Sequence, residues 1–65
     1  MKRYKDKKVK LIVKVQGQLL NYTAKVLEVS EQHITFYDKF GKVYSYLLKD
    51  IVEIQTLERV ENEKD

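Results

Sequence analysis

Apolar and polar residues alternate along most of this chain. In the run Lys8 to Val15, the residues Val9, Leu11, Val13 and Val15 fall on one side, and Lys8, Lys10 and Lys14 on the other. A period of two is what a strand with one dry and one wet face requires, because successive side chains leave the backbone on opposite sides. Gln16-Gly17-Gln18 breaks the pattern, and glycine supplies the positive φ that a tight reversal demands. Leu19 to Val29 predicts a longer second strand, with Tyr22, Thr23, Val26 and Val29 as its aromatic and β-branched residues. Ala24 and Leu27 also suit a helix, which is the alternative for this stretch. Ser30-Glu31-Gln32 predicts a polar turn, and His33 to Tyr37 a third strand. Asp38 to Lys42, with Gly41 at a left-handed position, predicts a hairpin loop. Val43 to Leu48 reads as a fourth strand, Lys49-Asp50 as a one-turn break, and Ile51 to Leu57 as a short fifth strand.

Five short strands without proline, repeat or linker predict an all-β domain, a five-stranded antiparallel barrel. Closure into a barrel removes the exposed edges that a flat sheet presents. The expected organisation is a basic N-terminal arm at 1–8, the barrel at 9–57 and a charged tail at 58–65.

The order of these signals resembles the Sm-like (Hfq-type) version of the SH3-like barrel. The matching pieces are Val9–Val15, Gly17, Tyr22–Val29, Ile34–Phe40, Gly41, Val43–Leu48 and Ile51–Thr56. The phrase Tyr46-Leu47-Leu48-Lys49-Asp50-Ile51-Val52-Glu53-Ile54 is similar to the family's second motif, in which a polar, often basic residue precedes the Ile that opens the last strand. Ala24 or Lys25 stands where the family's bent second strand usually carries glycine. Ser30 to His33 replace the family's usual Asp and Asn before the third strand. The resemblance implies RNA binding, and a ring in which the fourth strand of one copy pairs with the fifth strand of the next.

Composition narrows the chemistry. A chain of 65 residues buries only about 60% of the surface its unfolded form exposes, so small domains of this kind lean on disulfides, metals or partners. With no cysteine and a single histidine, His33, neither a disulfide nor a zinc site of imidazoles and thiolates is expected. Self-association or an economical barrel core remains, and a homo-oligomer is the expectation. No cofactor or small-molecule substrate is implied. Met1 to Lys8 is too polar for a leader peptide, and no run approaches a membrane span, so a cytoplasmic location is the expectation.

Catalysis has no visible machinery. A nucleophile needs a base beside it, and Gly17 and Gly41 stand alone rather than in a phosphate-cradling loop, so a non-enzyme is expected. Charge is distributed unevenly along the chain. Lys2, Arg3, Lys5, Lys7, Lys8, Lys10 and Lys14 face only Asp6 within residues 1–14, and the remainder is net negative. A solvated strand face and a polyanion site both fit such a stripe.

As a nucleic-acid site, RNA first and DNA as the alternative, the candidates are Lys8, Lys10, Lys14, Lys39, Lys42 and Lys49 for phosphates. Gln32 and His33 would contact bases, near a stacking ring from Phe40, Tyr37 or Tyr44. The fourth strand is apolar on both faces, Tyr44, Tyr46 and Leu48 on one and Val43 and Leu47 on the other. Tyr44, Tyr46 and Leu48, with Ile54, are therefore candidates for an outward oligomer interface, with extra packing inside the same chain as the alternative. The competing reading is a protein-interaction module that docks a partner on the same face.

Overall fold

The computed structural model describes residues 2–57, and the charged tail lies outside them. The strands are β1 (Lys8–Val15), β2 (Gln18–Val29), β3 (His33–Asp38), β4 (Val43–Leu47) and β5 (Ile51–Thr56). Single 3₁₀ turns span Lys2–Tyr4 and Leu48–Asp50. The helical alternative for the second segment is not what forms. All strand pairs are antiparallel, and the order across the sheet is β4-β3-β2-β1-β5. Among the described residues no helix is long and apolar enough to cross a membrane.

β1 turns into β2 through two residues only, Gln16 and Gly17, both at positive φ (50° and 80°). That pair of left-handed conformations is the type I′ reversal, whose twist matches the strands it joins. Gln16 holds a conformation that side chains resist, and Gly17 beside it makes the tight turn affordable.

β2 is long because it serves two partners. Residues Gln18 to Lys25 pair with β1, and residues Ala24 to Val29 pair with β3. The two pairings overlap only at Ala24 and Lys25. The sheet is therefore two three-stranded lobes that share β2. A register shift between Val26 and Glu28 leaves Leu27 as an extra residue, and one between Ile12 and Val13 does the same for Val52 of β5. Such bulges bend a strand and let residues three apart face the same way. Val26 and Val29 are both buried as a result, while Leu27 and Val52 are exposed.

One face of the sheet carries the core. Val9, Leu11, Val13, Ala24, Val26, Val29, Ile34 and Phe36 are buried, and Tyr22, Tyr44, Tyr46, Leu48, Ile51 and Ile54 pack against them. Phe36 sits among three tyrosine rings, with centroids 5.2 Å from Tyr22, 5.7 Å from Tyr44 and 6.0 Å from Tyr46. The Tyr22 and Tyr46 hydroxyls share a 2.7 Å hydrogen bond. Desolvation first, and then that hydrogen bond, push the Tyr22 phenol well above the usual tyrosine value.

Two expectations need correction. The barrel is not closed: β4 and β5 end the strand order and do not pair with each other. β4 lies beside the half of the sheet built on the C-terminal part of β2, and β5 beside the half built on its N-terminal part. The 3₁₀ turn Leu48–Asp50 carries the chain from one edge to the other, passing against β1. The second correction concerns Tyr44, Tyr46, Leu48 and Ile54, expected to form an outward patch. They face the core. Register decides this, because Tyr44 pairs with Phe36 and Tyr46 with Ile34, and paired residues share a face. Val43, 59% exposed, and Leu47 are the apolar residues on the outward side of β4.

The basic arm also folds back. Val26 accepts a hydrogen bond from the Asp6 amide and donates one to the Lys7 carbonyl, at 2.8 and 3.0 Å. Tyr4 packs on the core, and Lys5 meets Glu28 at 3.9 Å on the exposed side.

Candidate nucleic-acid interface

Strand register assembles a basic cluster that no single stretch of sequence contains. On the outer face Lys8 of β1 stands directly opposite Lys25 of β2, and Lys25 opposite Tyr37 of β3. Tyr37 in turn faces Val43 of β4. Two residues further along β1, Lys10 lies between Thr23 and Gln55. Lys8, Lys25, Tyr37 and Lys39, together with the carboxylate-bearing Asp38, are among the residues that line an open depression of about 460 Å³. Like charges directly opposite across a ladder repel, and Lys8 and Lys25 are such a pair.

The β3–β4 loop borders this depression and is tied down at one residue. Asp38 Oδ1 accepts hydrogen bonds from the amides of Phe40 and Lys42, both at 2.9 Å. The Asp38 carbonyl accepts from the Gly41 amide, and the Asp38 amide donates to the Lys42 carbonyl, again at 2.9 Å. Gly41 at φ 85° makes the reversal. This loop holds Phe40 out into solvent, 82% exposed, with the Lys39 ammonium 5.4 Å from its ring. Lys42 lies instead over the Tyr44 ring, at 5.7 Å.

The remaining candidates fall elsewhere. Gln32 and Lys49 do come together, in an open depression of about 420 Å³ shared with Glu31, Leu47 and Leu48. The Gln32 carbonyl accepts the Leu48 amide at 2.7 Å. His33 is exposed, its amide donating to Ser30 Oγ at 3.0 Å. This group sits at the start of β3 and Tyr37 near its end, roughly 13 Å away at the rise of an extended strand. Gln32 and His33 are therefore not beside the stacking rings, as the sequence reading had them. Lys14, opposite Leu19, belongs to the far end of β1. Lys10 borders a smaller depression of about 150 Å³ that includes Glu53.

Lys25, counted from the sequence only as one more basic residue and not as a site residue, is central to the cluster. Only the β1–β2 register brings it to Lys8. No model of a known protein family, no curated protein and no solved structure matches this chain.

Proposed function

We propose that this domain is a non-catalytic nucleic-acid-binding module, with RNA as the favoured ligand. The observation that carries the reading is Lys8 opposite Lys25, with Lys39 on the rim of the same depression and Lys10 next along the strand. A polyanion gains from every ammonium it meets. The resemblance to Sm-like proteins favours RNA over duplex DNA. The strand order and the one-turn passage from β4 to β5 support reading the sheet as an unclosed relative of that barrel.

The test is the anisotropy of a labelled single-stranded RNA titrated across salt concentrations. The logarithm of the binding constant should fall linearly with the logarithm of salt, by about 0.7 per phosphate contact. The double variant Lys8→Gln, Lys25→Gln should flatten that slope by about 1.4. A slope that is flat in the natural protein removes the proposal.

A homo-oligomer is the second part of the reading, and the unpaired edges of β4 and β5 favour it. An edge strand carries a row of unused backbone donors and acceptors. Pairing β4 of one copy with β5 of the next uses both edges and closes into a ring when the rotation per copy fits. Light scattering on the purified protein should give a multiple of the chain mass. A monomer at high micromolar concentration would leave nucleic-acid binding standing and remove the ring.

A further inference from the structure

We propose that the depression beside the β3–β4 loop is a nucleobase-stacking site for single-stranded nucleic acid, with Tyr37 in its wall and Phe40, exposed on the adjoining loop next to Lys39, as a second ring. The inference rests on the polyanion reading and adds the part of the ligand that phosphate contacts leave unspecified.

Three features of this corner are not needed for charge attraction. The first is Tyr37, which is half-buried on the outer face, away from the tyrosines of the core. It lines the depression together with Lys8, Lys25 and Lys39. An aromatic wall under a rim of ammonium groups matches a nucleotide part by part, base against ring and phosphate against cation. The second is size. A volume of about 460 Å³ lies within the range of sites that hold small ligands, so one base with its sugar fits.

The third is Phe40. A large apolar side chain at 82% exposure loses the gain of burial, yet the loop that bears it is held by four hydrogen bonds centred on Asp38. Holding an exposed ring in place lowers the entropy lost when a ligand stacks on it. The Lys39 ammonium above that ring adds a cation to the same face. A duplex keeps its bases stacked on one another and offers neither ring a free base face. Unpaired bases do, which is why the site selects single strands.

The experiment compares three probes by anisotropy: a short labelled single-stranded RNA, the same strand without bases, and a duplex. The natural protein, with two stacking rings, should bind the base-bearing strand about a hundredfold more tightly than the abasic one. Phe40→Ala should weaken binding to the base-bearing strand about tenfold, with no change for the abasic strand and no change in salt slope. Phe40→Trp should restore it. Phe40 touches none of the core, so this variant tests stacking without testing folding. Tyr37→Ala should repeat the loss, and Tyr37→Phe should keep most of the affinity.

Equal affinity for the base-bearing and abasic strands, with a steep salt slope retained, overturns the stacking site and leaves the polyanion reading intact. Equal or tighter binding of the duplex overturns the single-strand selectivity in the same way. Loss of salt-dependent binding to every probe overturns both.

Discussion

Phe36→Ala is expected to unfold much of the protein at 37 °C. Phe36 is fully buried at the centre of the core, against Tyr22, Tyr44 and Tyr46. Truncating a buried Phe to Ala costs about 3–5 kcal/mol, through lost transfer free energy and the cavity left behind. A 65-residue domain holds roughly 3–10 kcal/mol in total at typical per-residue stability. The loss is thus comparable to the whole. It also touches both lobes, because Phe36 pairs with Val26 and Tyr44 within one and its ring lies 5.2 Å from that of Tyr22, which pairs with Leu11 of β1 in the other. Phe36→Leu keeps most of the volume and should cost about 1–1.5 kcal/mol, a drop in Tm of about 4–12 °C for a domain of this size. Thermal melts followed by circular dichroism separate the two. A Phe36→Ala variant that melts within about 5 °C of the natural protein would mean that the tyrosine cluster repacks without its central ring.

The same core shows which parts of the structure a linear reading reaches. Val9, Leu11 and Val13 alternate with lysines, so β1 and its faces follow directly from a period of two, and the bounds of β1 fall where the pattern puts them. Two spacings of three, Val26 to Val29 and Ile51 to Ile54, carry the trace of the bulges at Leu27 and Val52. Simple alternation passes over them. β4 defeats the method for a different reason. Tyr44 and Tyr46 on one side and Val43 and Leu47 on the other are all apolar, so hydrophobicity does not choose the inner face. The partner strand chooses it, through Phe36 and Ile34. Closure of the barrel is a still longer-range property, set by which halves of β2 its neighbours occupy. The candidate site follows the same division. Lys8 and Lys10 were visible as outward strand residues, but the cluster exists only through the pairing of Lys8 with Lys25 and of Lys25 with Tyr37. Gln32 and Phe40, joined in the linear reading because they flank one strand, are separated by that strand's length.

Lys25→Glu should move stability and binding in opposite directions. Residue 25 is exposed on the outer face and directly opposite Lys8, so the change reaches solvent and leaves the core packing alone. A glutamate there replaces a like-charge pair with an opposite-charge one, worth about 0.2–1 kcal/mol across an antiparallel ladder. In Tm this is a rise of about 1–8 °C at low salt, shrinking as salt screens the pair. Binding responds to the same two units of charge with the other sign. One phosphate contact disappears and a carboxylate takes its place, which together cost about tenfold in affinity for single-stranded RNA near physiological salt. A variant that is more stable and binds more weakly identifies Lys25 as a residue kept for its ligand against the interest of the fold. Higher stability with unchanged affinity would make the Lys8–Lys25 pair an incidental meeting of solvated chains and move the phosphate site to Lys39 and its loop. Lower stability would assign Lys25 a part in the fold itself, through the packing of its methylene stem beside Tyr37. Measuring the melt and the titration on one preparation distinguishes these cases, because each predicts a different pair of signs.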